Sequence, residues 1–200
     1  MAVRVLHWLV AVAATSIMAS PATGQECRAA LLSQLPAWSA LQTQAQPDTV
    51  RMKLFVEIAC RECEPVTVVE VFAGVASANF RSIPLAQKTG TEFAEAVVSD
   101  DQERSNFLET TLAAELGSSP GCVMDGQING VFKIGAMGVI VANTRAHCDH
   151  APENLRAVFL SGYDGQCLYR VRIVWPGWAE LSDGVQDQVQ AVLDQVRLGP

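Results

Sequence analysis

Two cysteines separated by two residues are the side chains best suited to chemistry in this sequence. Cys60 and Cys63 have the spacing that thiol–disulfide oxidoreductases use. In those enzymes the first cysteine lies at a helix N-terminus, where the helix dipole lowers its pKa. Here Glu64 and Pro65 precede a run of β-branched residues, which favours a strand instead. A structural disulfide is therefore the first hypothesis, and an envelope thiol–disulfide protein is the alternative.

A second group of candidate ligands is the sequence His-Cys-Asp-His at residues 147–150. Cys60, Cys63, Cys148 and His150 together would supply the three thiolates and one imidazole of a tetrahedral zinc site, and thiolates also bind copper. Thiolates, however, oxidise readily in the compartments where disulfides form. Zinc or copper binding is therefore the third functional hypothesis.

Six cysteines in a chain of 200 residues favour a disulfide framework if the protein is exported. They are Cys27, Cys60, Cys63, Cys122, Cys148 and Cys167. We predict that Cys60 bonds to Cys63 and that Cys122 bonds to Cys148 or to Cys167. Capture of Cys60 or Cys63 by Cys27 is the competing arrangement.

The first 24 residues have the features of a cleavable signal peptide. Arg4 supplies an early positive charge, an apolar stretch follows, and Ala22 and Gly24 are small residues at the end. The apolar stretch is shorter than the about 20 residues that cross a membrane. We predict cleavage after Gly24, a periplasmic or secreted protein, and no permanent membrane span.

Composition limits the remaining function classes. Half of the residues are hydrophobic and 18% are charged, which is enough apolar material for one buried core, so residues 25–200 are expected to form a single domain. The net charge of −7 argues against a nucleic-acid partner. The sequence has no Gly-x-Ser-x-Gly nucleophile motif and no glycine-rich phosphate loop. We therefore predict no catalytic residue and no cofactor.

The hydrophobic periodicity predicts strands and helices in one α+β domain. Alternation over 50–59 and β-branched residues over 66–72 indicate two strands, with Cys60 and Cys63 between them. Leucines every four residues predict a helix over 100–116, and an apolar stripe predicts another over 181–196. A short helix is expected over 26–35, and 128–142 reads as either one bent strand or a hairpin.

The clearest hairpin joins residues 156–163 to 166–175 through Asp164-Gly165. A two-residue turn would place Val158 opposite Val171, on the face that also carries Trp175. Trp175 and Trp178 are candidate contacts for a partner, although buried packing is the simpler role for both.

The final third of the chain has an element order that resembles the end of MOG1/PsbP-like domains. It comprises the two strands joined by a tight turn, the segment Tyr-Arg-Val-Arg-Ile-Val-Trp-Pro-Gly at 169–177, and a closing helix. The strands near 50–72 and the helix near 100–116 are compatible with that fold. The resemblance implies an accessory or binding role at an exported complex, but the six cysteines are not part of the family's usual pattern.

These observations predict an α+β fold with an antiparallel sheet of about five or six strands, flanked by helices and cross-linked by disulfides. The predicted function is that of an exported, non-enzymatic accessory or binding protein of the cell envelope. Its expected partner is another envelope or secreted protein.

Overall fold

The structure is a computed structural model that describes residues 27–33, 35–41, 52–116, 122–148, 155–177 and 180–199. The predicted signal peptide at 1–24, His150 and Trp178 lie outside the described residues. No described helix is both long and apolar enough to cross a membrane.

The described chain forms strands and helices in a mixed order. The strands are β1 (Ala29–Leu31), β2 (Trp38–Ala40), β3 (Lys53–Cys60), β4 (Thr67–Val75), β5 (Cys122–Ile134), β6 (Met137–Cys148), β7 (Leu155–Tyr163), β8 (Cys167–Pro176) and β9 (Val196–Leu198). The helices are α1 (Ala78–Arg81), α2 (Gly90–Ser99), α3 (Asp101–Leu116) and α4 (Asp183–Gln195), with a 3-10 turn at Pro84–Gln87.

Seven of these strands form one antiparallel sheet in the order β2-β3-β4-β8-β7-β6-β5, and β1 pairs with β9 in a second sheet. The predicted α+β fold with an antiparallel sheet is confirmed. The large sheet has one strand more than the upper expectation, because the short strand β2 extends its edge.

The prediction of a helix over residues 26–35 is wrong. Ala29–Leu31 is a strand whose residues pair with Val196–Leu198 beyond the final helix. Ala and Leu favour a helix locally, but backbone pairing with the C-terminal strand satisfies the same amide groups and overrides that preference.

Strands β3 and β4 occur where the pattern predicted them, but β3 does not alternate along its whole length. The pairing register shifts between Leu54 and Val56, which is a β-bulge. Leu54 and Val56 therefore lie on opposite faces of the sheet, whereas strict alternation placed them together.

The uncertain segment at 128–142 is part of a hairpin formed by β5 and β6, in which Ile134 pairs with Met137. Gly135 in the turn has a φ of +59°, a conformation that favours glycine. The predicted helix over 100–116 is confirmed as α3, and Asp100 accepts hydrogen bonds from the backbone N–H groups of Gln102 and Glu103 at its start.

The β7–β8 hairpin exists, but its register differs by two residues from that of a two-residue turn. Tyr163 pairs with Leu168, and Val158 pairs with Ile173. The carboxylate of Asp164 accepts hydrogen bonds from the backbone N–H groups of Gln166 and Cys167, at 2.9 and 2.6 Å, which stabilises a longer turn. Because the shift is an even number, the predicted face of each residue is retained.

Asp164 also accepts a hydrogen bond of 2.8 Å from the hydroxyl of Tyr169. Burial raises the pKa of that hydroxyl well above its usual range, and the hydrogen bond to Asp164 and its charge raise it further. Tyr169 therefore remains a hydrogen-bond donor to the turn at any physiological pH.

Each face of the seven-stranded sheet carries its own hydrophobic cluster. On one side, here called the α4 face, valines of α4 pack against the sheet; the cluster includes Val69, Val71, Leu160, Val171, Ile173, Val185, Val189 and Val192. On the other, the α2 face, Phe93 of α2 and Tyr163 of the sheet pack edge to face with their ring centroids 5.4 Å apart. The sheet is therefore the middle layer of the fold.

The α2 face carries a row of charged side chains where it reaches β3, β4 and β8. Glu57, Glu70 and Arg172 occupy directly opposed positions on these strands. Arg172 donates to Glu70 at 2.7 Å. Burial raises the pKa of Glu57, and the negative charge of Glu70 raises it further.

We predict that Glu57→Gln stabilises the protein at neutral pH. The raised pKa means that folding disfavours the ionised carboxylate, so the wild-type protein loses stability as the pH rises through the folded-state pKa. Glutamine removes that cost and should raise the free energy of unfolding by a few tenths to about 1 kcal/mol, the range for a like-charged cross-strand pair. Urea unfolding at pH 7 and at about pH 3 would measure the difference, which should vanish at the lower pH.

The matched control is Glu95→Gln, an exposed carboxylate on α2. It should leave stability nearly unchanged at both pH values. A destabilisation by Glu57→Gln at pH 7 would refute the proposed repulsion.

Two disulfides are described, and they close loops of very different length. Cys27–Cys167 joins residues 140 apart, and Cys60–Cys63 joins residues three apart.

Because a longer loop loses more unfolded-state entropy when it is closed, we predict that replacing both members of the Cys27–Cys167 pair by alanine lowers the free energy of unfolding by about 5 kcal/mol. The same replacement at Cys60 and Cys63 should cost about 2 kcal/mol. Equilibrium unfolding would compare them, and equal losses would contradict the loop-length explanation.

Candidate functional site

The predicted bond between Cys60 and Cys63 is confirmed. Cys60 is the last residue of β3, and the chain continues through a turn into strand β4, so no helix begins at this pair. The two cysteines are 1% and 7% exposed. An oxidoreductase needs an accessible sulfur with a stabilised thiolate, and this pair has the burial of a structural bridge.

Of the four proposed metal ligands, the three cysteines do not lie around one point, and His150 is outside the described residues. The sulfurs of Cys60 and Cys63 are bonded to each other, and Cys148 is on β6, four strand positions away from β3. At about 4.8 Å per strand, that is a separation of about 19 Å, whereas zinc–sulfur bonds are about 2.3 Å. The described residues contain no group of three or more histidine, cysteine, aspartate or glutamate side chains that could hold a metal ion.

The sequence also predicts that Cys122 bonds to Cys148 or to Cys167. Cys167 is bonded to Cys27, so it is not the partner of Cys122, and the competing capture of Cys60 or Cys63 by Cys27 is wrong. The backbone of Cys122 pairs directly with that of Cys148 at the end of the β5–β6 hairpin. Opposed residues in antiparallel strands have Cα separations within the range that a disulfide spans.

A cleft lies between α4 and the sheet. Its volume is about 620 Å³, within the range of small-molecule sites. The floor is formed by strands β5 to β8, and one wall is α4 with the segment before it. The apolar lining includes Val158, Ile173, Trp175, Leu181 and Val189.

Two rows of directly opposed residues cross the floor of this cleft. One row is Asp125, Arg145, Arg156 and Trp175 on β5, β6, β7 and β8. The parallel row is Gln127, Asn143, Val158 and Ile173. Each row therefore changes from polar at the β5 edge to apolar near the centre of the sheet.

Arg156 is the buried charge of the cleft, with a side chain that is only 9% exposed. Its guanidinium lies over the ring of Trp175, 5.9 Å from the centroid, and its Nη2 is 2.6 Å from Oε1 of Glu180. Glu180 is 79% exposed. The cleft thus holds a desolvated cation between an aromatic ring and a largely hydrated carboxylate.

Of the two tryptophans considered as partner contacts, Trp175 is 5% exposed and fills the core beneath α4 while lining the cleft. The sequence prediction missed Arg156, Arg145 and Glu180 as site residues. A signal was present in β6, where Val139 and Val141 are followed at the same inward positions by Asn143 and Arg145. Polar residues that continue an inward-facing series indicate that the hydrophobic core does not cover this part of the sheet face.

No family model matches this chain, and no curated protein matches it. Among solved structures, the chain is similar to LpqN, described as involved in cell envelope biogenesis of Mycobacterium tuberculosis. The alignment covers 92% of this chain and 88% of that chain, with a TM-score of 0.46 and 11% sequence identity. A similarity at this level carries no information about what this chain binds.

We predict a third disulfide between Cys122 and Cys148, because their backbones are directly opposed. Peptide mapping of the protein purified without reductant should recover these two cysteines in one cross-linked pair. Under mild reductant, the buried Cys60–Cys63 bridge should stay intact while the fold persists. Free thiol at Cys122, or selective reduction of Cys60–Cys63, would count against these assignments.

Proposed function

We propose that the protein is an exported, disulfide-stabilised binding protein of the cell envelope that takes a small amphipathic ligand in the cleft beneath α4. The cleft carries this proposal. Its volume is within the range of small-molecule sites, and its floor places apolar side chains at the centre of the sheet beside polar and charged side chains towards β5.

Three features of the chain support the export part of the proposal. The first 24 residues have the pattern of a signal peptide, and two disulfides cross-link the described domain. The acidic net charge of −7 suits a secreted or periplasmic protein that does not bind nucleic acid.

An accessory role beside another envelope or secreted protein, without catalysis, is part of the same proposal. A MOG1/PsbP-like relationship is compatible with it, since the chain combines an antiparallel sheet, a late hairpin and a closing helix. The redox alternative is less well supported because Cys60 and Cys63 are buried and the next element after them is strand β4, not a helix.

The cleft proposal is tested with Nile red, an uncharged amphipathic dye whose fluorescence rises in apolar surroundings. We expect saturable binding with one dye per chain. Gln190 lines the cleft, so Gln190→Trp should fill part of it and weaken dye binding by about tenfold or more.

Gln188→Trp is the matched control, because Gln188 is exposed on the same helix and does not line the cleft. It should bind the dye like the wild-type protein. Circular dichroism would verify that both variants fold. Absence of saturable binding, or equal binding by the two variants, would refute the cleft as the ligand site.

A further inference from the structure

The ion pair in the cleft is asymmetric in its exposure. Arg156 is almost completely removed from water, whereas its partner Glu180 is largely hydrated. A desolvated guanidinium requires an anion or several acceptors, but an exposed carboxylate loses little when it returns to water. Glu180 is therefore an exchangeable counter-ion for Arg156.

A second cation lies beside the first. Arg145 is directly opposite Arg156 on the neighbouring strand, and both line the cleft. Like charges at opposed positions repel each other, and an anion bound near both would relieve that repulsion. Asp125 opposes Arg145 from the other side, so the β5 edge of this row carries its own negative charge.

The surroundings of the two arginines suit the rest of an amphipathic molecule. Ile173, Val158 and Val189 provide an apolar surface next to Arg156. Asn143 and Gln127 bring neutral amides to the rim, where hydrogen bonding does not require a second charge on the ligand.

From this arrangement we infer that the ligand is a monoanionic amphipathic carboxylate whose head group replaces Glu180 on the guanidinium of Arg156. The inference rests on the proposed binding function and names its ligand class. A carboxylate matches the planar fork of arginine and is the same chemical group that it displaces. The apolar tail then covers the floor beside Trp175.

The test measures displacement of Nile red by decanoate and by 1-decanol, which has the same chain without the charge. Wild-type protein should bind decanoate about tenfold or more tightly than decanol. Arg156→Met should abolish that preference. Because Arg156 is buried and its replacement could prevent folding, a second variant is decisive.

That variant is Glu180→Gln, which removes the competing carboxylate at a site that is already exposed. The affinity for decanoate relative to decanol should then rise about two- to fivefold. Asp187→Asn is the matched control, since it removes one exposed carboxylate of α4 that does not line the cleft. It should leave the affinity for decanoate unchanged.

Equal displacement by decanoate and decanol, or no gain in Glu180→Gln, would overturn the carboxylate assignment and leave the cleft itself in place. Equal gains in Glu180→Gln and Asp187→Asn would also overturn it, because net charge alone would then account for the effect. If Gln190→Trp fails to weaken Nile red binding, the proposed function fails as well.

Discussion

The register of the central β7–β8 hairpin depends on the side chain of Asp164. Its carboxylate accepts hydrogen bonds from two backbone N–H groups of the turn and from the hydroxyl of Tyr169. This longer turn pairs Arg156 with Trp175. With a two-residue turn, Arg156 would instead oppose Ile173, and the buried guanidinium would not lie over the indole ring.

The same turn is connected to the ends of the chain. Cys167, whose backbone N–H donates to Asp164, is disulfide-bonded to Cys27, and the strand that follows Cys27 pairs with β9 after α4. The covalent bond and the short second sheet therefore tie both termini of the described domain to one end of the large sheet. This explains why a three-residue strand, which is too short to be stable alone, forms at Ala29–Leu31.

The cleft is a consequence of incomplete coverage of the sheet by one helix. Valines of α4 pack on the apolar centre of the α4 face, so the helix is held over those strands. Towards β5 and β6 the inward positions become polar, as at Asn143 and Arg145, and they give the helix no apolar surface to cover. The position at which the inward-facing residues change from apolar to polar therefore determines both where α4 packs on the sheet and where the cleft forms.

Much of the fold follows from local patterns in the sequence. Alternating and β-branched residues determine strands β3, β4, β7 and β8 and the face of most of their side chains, because a strand has a fixed period of two. The proximity of Cys60 and Cys63 follows from their spacing alone. Only the tertiary structure decides the partner of Cys27, the register set by Asp164 and the meeting of Arg156 with Glu180. Those features depend on pairing between distant segments, and a local period specifies which face a residue occupies but not which residue it meets there.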